Sequence, residues 1–325
     1  MQSRSSKNPS AAGMEAGALP GKDKSRLTSA ASIGDSVTPV TVARSIADVH
    51  AQLDAHRKDG ETAGLVPTMG FLHEGHLSLI RAARADCPLV VVSIFVNPIQ
   101  FGGSEDFNTY PRDLGRDLKL AASAGAGVVF APAEAELYPN GFDTMVVPGK
   151  IAEGLCGATR PGHFQGVATV IAKLFNIIQP SAAYFGQKDA QQVAVIKRTA
   201  ADLNYNVRIR VCPTVREPDG LATSSRNSYL SEAERSQAPV LYEALMEAKA
   251  AVSAGQTGAA ALRRQMKRKI AGKYLAELEY VKIVDPGTLE PVPEIKEDAL
   301  AAVAARFGRA RLIDNMILSP GGENA

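Results

Sequence analysis

The groups in this chain best placed to do chemistry are His73-Glu74-Gly75-His76. There are only five histidines, His50, His56, His73, His76 and His163, and two of them share this window. An apolar run, Gly64-Leu65-Val66-Pro67, leads into Thr68-Met69-Gly70-Phe71-Leu72, and a helix-like stretch begins at His76. A glycine-containing loop that feeds a helix start gathers backbone N–H groups at one place, where the helix dipole favours an anion such as phosphate. Two imidazoles there add hydrogen-bond donors. The same residues also read as two histidines capping a helix.

Four more segments carry polar groups beside expected element ends. In Phe95-Val96-Asn97-Pro98-Ile99-Gln100-Phe101-Gly102, Asn97 and Gln100 offer amides at a strand's carboxyl end, although Asn-Pro is also a plain turn signal. Arg160-Pro161-Gly162-His163-Phe164-Gln165-Gly166 precedes an apolar helix. Arg160 or His163 could meet an anion, and Gly166 permits close backbone approach. In Phe185-Gly186-Gln187-Lys188-Asp189-Ala190-Gln191-Gln192, Asp189 suits a helix N-cap. Lys188 at the same helix start opposes the dipole, which asks for an anion partner. Gln192 follows one turn later on the same side. The stretch from Arg216 to Asn227 contains Thr223-Ser224-Ser225-Arg226, where hydroxyls, N–H groups and a guanidinium can hold phosphate. A polar surface turn is the simpler reading of those residues.

These groups need a frame. From Thr38 onward strand-like and helix-like runs alternate: a helix over Ser45–Arg57, a strand over Ala63–Pro67, a helix over His76–Ala85 and a strand over Pro88–Val96. Leu89 to Val92 is continuously apolar, the pattern of a strand buried on both faces of a parallel sheet. A helix over Arg112–Ala124 and a strand over Gly127–Ala131 follow. Val167, Val170, Ile171, Leu174, Phe175 and Ile178 keep helical spacing up to the stop at Pro180. Strands over Ala182–Phe185 and Val207–Val211 flank a helix marked by Val193, Ile196, Ala200 and Leu203. This rhythm predicts an α/β fold, a Rossmann-like doubly wound parallel sheet whose ligands sit beyond the strands' carboxyl ends. After about Arg216 the pattern becomes two helices, Glu232–Ala254 and Ala259–Ala271, then strands over Leu278–Val284, Ala299–Arg306 and Arg311–Leu318. That predicts a smaller C-terminal α+β domain over 215–325, after a nucleotide domain over 38–214.

Composition bounds the rest. The chain has 325 residues, 45% hydrophobic and 22% charged, a globular balance. A formal charge of +2 gives no argument for a nucleic-acid or membrane partner, and no apolar run reaches the length of a membrane span. Cys87, Cys156 and Cys212 are far apart and form no CxxC pair, which fits a reducing cytoplasm and speaks against a disulfide framework. Residues 1–37 are rich in Ser, Ala and Gly with few large apolar side chains, so disorder is expected there. They lack the apolar core of a secretory signal, and Glu15, Asp23 and Asp35 are unlike an acid-poor transit peptide.

The HxGH pattern resembles the nucleotide-binding motif of the nucleotidyltransferase and class I tRNA synthetase superfamily. Taken together, PTMGFLHEGH, FVNPIQF, TYPR, TRPGHFQGV, YFGQKDAQQ and DGLATSSRN, in this order, resemble the pantoate–β-alanine ligase family from about Val42 to the C-terminus. The resemblance implies an ATP-dependent condensation of pantoate with β-alanine to pantothenate, releasing AMP and pyrophosphate through a pantoyl adenylate. It implies that Met69, Gly70, Phe71, Leu72, His73, Glu74, Gly75 and His76 cradle ATP, with His73 and His76 on the phosphates and His76 as proton donor. Gly186, Gln187, Lys188 and Asp189 would bind ATP, with Lys188 on the phosphates and Asp189 near the ribose. Val215, Thr223, Ser224, Ser225 and Arg226 would close over the nucleotide. Gln100 and Gln192 would hydrogen-bond pantoate, and Pro67, Met69 and Phe95 could wall its methyl groups. Mg²⁺ would accompany the phosphates; Asp113 and Asp117 are conceivable partners, but its ligands are open. A cytoplasmic homodimer is implied as well.

The chain departs from the commonest family pattern in carrying Gln187 where Glu is frequent, Thr223 where Met or Leu is usual, and the N-terminal tail. A cytidylyl- or adenylyltransferase of the same superfamily is the alternative. Gln100, Gln192 and the C-terminal domain speak against it. A scaffold that had lost catalysis predicts a missing His76, Lys188 or Arg226, and all three are present.

Overall fold

In a computed structural model, residues 40–103 and 105–321 are described. The expected disordered extension over 1–37 lies outside these residues. In chain order the first elements are β1 (Thr41–Ala43), α1 (Ile46–Lys58), β2 (Ala63–Thr68), α2 (Glu74–Asp86), β3 (Leu89–Ile94), α3 (Leu114–Ser123) and β4 (Val128–Phe130). Two four-residue helices follow, α4 (Glu134–Leu137) and α5 (Cys156–Thr159). Then come α6 (His163–Ile178), β5 (Ala182–Gly186), α7 (Ala190–Asp202) and β6 (Arg208–Cys212). The C-terminal part is α8 (Glu232–Gln237), α9 (Val240–Ser253), α10 (Ala259–Ala271), β7 (Glu277–Val284), β8 (Ala299–Phe307) and β9 (Ala310–Leu318).

Strands β1 to β6 form one parallel sheet in the order β1-β4-β3-β2-β5-β6. Its strand order reverses between β2 and β5, which pair from Gly64 against Ala182. A crevice opens at such a reversal, beyond the strands' carboxyl ends. The loops that leave β2 and β5 there carry His73-Glu74-Gly75-His76 and Gln187-Lys188-Asp189.

The continuous apolar run of β3 serves two cores. Val91 packs with α1, α6 and α7 on one face, and Val90 and Val92 pack with α2 and α3 on the other. Period-two alternation divides a fully buried strand in this way. The segment of β1 carries no strand signal of its own; three residues are too few to show alternation, and pairing with β4 supplies the order.

Strands β7, β8 and β9 form an antiparallel sheet, and α9 and α10 cover one face of it. On the other face Leu300 and Ala302 meet Ala194 of α7. The single helix expected over Glu232–Ala254 is two, α8 and α9, because Pro239 lies between them. Proline has no N–H to continue the ladder. Among the described residues no helix is long and apolar enough to cross a membrane.

Candidate active site

The loop after β2 turns through two successive left-handed residues, Gly70 at φ +83° and Phe71 at φ +50°. Its N–H groups are tied inward. Gly70 N donates to Thr68 Oγ1 at 3.1 Å, Phe71 N to Asp117 Oδ2 at 2.7 Å and Leu72 N to Asp117 Oδ1 at 2.7 Å. Both oxygens of buried Asp117 are therefore committed to the loop, and Asp113 accepts from Arg116 N as the cap of α3. Neither carboxylate is placed as a metal ligand. The expectation that all of Met69–His76 faces a nucleotide narrows accordingly. Met69, His73, Gly75 and His76 line the crevice. The Leu72 side chain belongs to the core, and Glu74 pairs with Arg81 at the surface.

The rings of His73 and His76 lie together at a centroid distance of 4.0 Å, tilted by 36°. The backbone N–H of His73 donates to His76 Nδ1 at 3.3 Å, so the His76 proton sits on Nε2. Gly75 makes room for the first ring: a Cβ there would lie 2.9 Å from His73 Cε1. Burial, then Lys188, lowers the His73 imidazole to about 4, and burial, then His73 and Lys188, holds His76 well below the usual imidazole range. Both rings are thus neutral near pH 7 in the protein alone, and each offers one N–H rather than a charge. Buried His73 Nδ1 has no hydrogen-bond partner within the protein.

Across the reversal, Lys188 and Asp189 line the same crevice. Asp189 occupies the N-cap position of α7, but its side chain makes no capping hydrogen bond. The cap that explained it from sequence is not formed, and its carboxylate is left to the crevice. Gln187 does not face the crevice: its Nε2 donates to Asn315 Oδ1 of β9 at 2.9 Å.

The third loop brings Val215, Thr223, Ser224, Ser225 and Arg226 to the crevice. Thr223 N donates to Val215 O at 2.9 Å, and Ser225 Oγ to Phe71 O at 3.4 Å, which joins this loop to the histidine loop. Arg226 is engaged with Asp106 through Nε at 3.1 Å and Nη2 at 2.9 Å.

Gln100 and Gln192 both reach the crevice, as do Pro67, Met69 and Phe95. Asn97 Nδ2 donates to Gln100 Oε1 at 3.0 Å, which turns the Gln100 Nε2 toward Met69 Sδ at 3.1 Å. Tyr138 OH donates to Asn97 Oδ1 at 2.8 Å and fixes Asn97 in turn. Gly166 lets α6 approach this turn; a Cβ there would lie 2.4 Å from the Ile99 carbonyl oxygen. Gln191, next to Gln192, is spent on structure: it accepts from Cys156 N at 2.8 Å and donates to Gly154 O at 2.8 Å.

Arg160 and His163 border both parts of the crevice, but their polar atoms are engaged with neighbouring residues. Arg160 pairs with Glu105 through two contacts of 2.7 Å. His163 Nδ1 donates to Gln100 O at 2.9 Å, and its Nε2 lies 2.8 Å from Arg160 Nη1. Burial, then Arg160, lowers His163 to about 4. The folded protein thus takes up a proton on His163 less readily than the unfolded chain. Its contribution to stability is complete above pH 6.5 and is lost as the pH falls from there toward 4. The melting temperature should fall over that window, and His163→Asn should flatten the fall. An unchanged slope in the mutant would remove His163 as a source.

The crevice has two connected parts. An inner cavity of about 220 Å³ holds the histidines and Gln100, and an outer one of about 580 Å³ extends to the C-terminal sheet. Lys188, Asp189, Gln192, Ser224 and Arg226 border both. Among the described residues, no group of three His, Cys, Asp or Glu side chains is arranged to hold a metal ion.

Fold and site together define a doubly wound α/β protein with a cationic, amide-lined crevice at its strand-order reversal. The family model described as pantoate-beta-alanine ligase matches residues 41–317, and the chain belongs to that family. It is 54% identical over 277 residues to the pantothenate synthetase of Acetivibrio thermocellus, across 85% of this chain and 99% of that protein. It resembles the crystal structure of pantothenate synthetase from Thermus thermophilus with a TM-score of 0.83 at 46% identity, over 86% of this chain and 100% of that one. A pantoate-beta-alanine ligase from Francisella tularensis, crystallised with beta-gamma ATP and beta-alanine, matches with a TM-score of 0.72 at 36% identity. That match covers 86% of this chain and 97% of the other.

Proposed function

We propose that this chain condenses pantoate with β-alanine at the expense of ATP, in two steps through pantoyl adenylate. The observation that carries the reading is the meeting of three loops at one crevice. They bring neutral imidazole donors, Lys188, and Ser224 to Arg226 around a space that also holds two glutamine amides. In the first step the pantoate carboxylate attacks the α-phosphate and pyrophosphate leaves. Charge builds on the phosphate oxygens, and Lys188, Arg226 and the His76 Nε2–H stabilise it. An anion beside His73 and His76 raises their proton affinity, so the bound nucleotide itself prepares His76 to donate a proton. Arg226 exchanges its Asp106 partner for phosphate. Asp189 lies by the ribose. Gln100 and Gln192 hold pantoate, and Pro67, Met69 and Phe95 wall its methyl groups. In the second step the β-alanine amine attacks the activated carbonyl and AMP leaves.

Mg²⁺ enters in this reading as MgATP, held mainly by phosphate oxygens and water. Residues 215–325 act as a lid domain on the nucleotide domain over 38–214, and the enzyme works as a cytoplasmic homodimer. The test is pyrophosphate–ATP exchange with pantoate and no β-alanine. Exchange should occur. Its absence under conditions that support full turnover would count against the adenylate, and a nucleotide conjugate that accumulates with pyrophosphate, with no AMP released when β-alanine is added, would favour a transferase.

A further inference from the structure

Two adjacent residues of the C-terminal sheet hold two different loops of the crevice. Asp314 and Asn315 lie side by side in β9 and are both buried. Neighbouring residues of a strand face opposite sides of the sheet, so their side chains reach in opposite directions from one short piece of backbone.

Asp314 takes Arg216 in two contacts, Nη1 to Oδ2 at 2.6 Å and Nη2 to Oδ1 at 3.0 Å. The same guanidinium lies 4.1 Å from the centre of the Tyr242 ring and donates to Gly220 O at 3.0 Å. Gly220 must be glycine at this contact: its φ is +91°, and a Cβ would lie 2.2 Å from Tyr242 Cδ1. Arg216 also bridges Ala222, two residues before Ser224. The hairpin that ends in Ser224, Ser225 and Arg226 is therefore fixed at its base by Asp314.

Asn315 grips the other loop. Its Nδ2 donates to Gln187 O at 2.9 Å and to Lys188 O at 2.8 Å, and its Oδ1 accepts from Gln187 Nε2 at 2.9 Å. Every polar atom of this buried amide is spent on the turn that carries Lys188.

We propose that Asp314-Asn315 is a positioning pair that sets Lys188 and the Ser224–Arg226 cradle at a fixed separation on the transferring phosphate. The pair borders the outer cavity, but its side-chain polar atoms are committed to the two loops, and it acts through those residues. Consecutive Cα atoms are about 3.8 Å apart in any trans peptide, so the strand is a rigid spacer between the two loops. The assignment of that spacer to phosphate rests on the ligase reading above.

The test is a double-mutant cycle of Asn315→Ala with Lys188→Ala, read on both pyrophosphate–ATP exchange and direct ATP binding. Misplacing a group by about 1 Å can cost on the order of 10²-fold in rate. Asn315→Ala alone should therefore slow exchange by about 10- to 100-fold and leave the pantoate KM within about two-fold. In the Lys188→Ala background it should cost little more, because the group it positions is gone. Asn315→Asp keeps the size and lacks the donors, so it should behave like Asn315→Ala. A merely structural residue would lower the melting temperature and the active fraction, and its effect would add to that of Lys188→Ala. Full additivity in both readouts, or unchanged exchange in a folded Asn315→Ala protein, overturns the proposal while wild-type turnover still stands. Coupling of Asn315→Ala with Lys188→Ala in ATP binding, together with a wild type that makes no pantothenate, keeps the positioning pair and overturns the ligase reading.

Discussion

Replacing Lys188 by Ala should lower the rate of adenylate formation by about 10²–10³-fold, the range for one preorganised transition-state contact. The protein's electrostatics make this loss hard to cover. Both motif histidines are held in the neutral form by burial, so they bring N–H donors and no charge of their own. Arg226 shares its guanidinium with Asp106. Lys188 faces both parts of the crevice from the start of α7, where the dipole already favours an anion. Of the inner cavity's cations, Arg160 is paired with Glu105 and Arg226 with Asp106, which leaves the Lys188 ammonium open to phosphate. His76→Ala should fall in the same range, through loss of the Nε2–H donor. Pantoate affinity, measured by direct titration, should hardly change in either variant. If Lys188→Ala mainly weakens pantoate binding and spares the exchange rate, the role given to Lys188 is wrong.

Much of the frame was legible because local pattern and tertiary role agree. The apolar run of β3 predicted a strand buried on both faces, and its side chains do divide between two cores. The helical spacing from Val167 to Ile178 marks α6 as a buried helix, as found. The Lys188 turn could be picked out because a cation at a helix start opposes the dipole; the histidine and serine loops each have a plain structural reading and stand out through the order of all the segments together.

What was not legible depends on partners distant in sequence. Asp117 meets Phe71 across 46 residues, Arg226 meets Asp106 across 120, and Gln187 meets Asn315 across 128. No periodicity or short motif encodes such a pairing. Asp117 illustrates the cost. In sequence it is one of two carboxylates left open as a Mg²⁺ partner, and its oxygens hold the loop that bends through Gly70 and Phe71. Asp189 errs in the other direction: its sequence position offered a structural reason that its side chain does not take up.

Gln192→Ala should raise the pantoate requirement strongly and leave ATP binding nearly intact. Adjacent glutamines make the argument sharp. Gln191 is buried and saturated by backbone partners, whereas the side chain of Gln192 borders both cavities. In the inner cavity that Gln192 also lines, the Gln100 amide is turned by Asn97 so that its N–H₂ group is presented beside Met69. On the proposed reading both amides meet pantoate hydroxyls, and such a site rejects a substrate that lacks them, because its own polar groups are then left unpaired. Sites of this kind discriminate by as much as about 10⁴–10⁵-fold. A pantoate analogue without its hydroxyls should therefore be a very poor substrate for the native enzyme. In Gln192→Ala the same analogue should be penalised much less, since one partner of the lost hydrogen bond is already gone. The measurement is kcat/KM for both acids with both proteins, at saturating ATP. The ratio of the two acids should narrow by at least tenfold in the mutant, the equivalent of about 1.4 kcal/mol. Equal discrimination by mutant and native enzyme would take Gln192 out of the pantoate site, and Gln100 with its Asn97 and Tyr138 supports would have to carry the recognition alone.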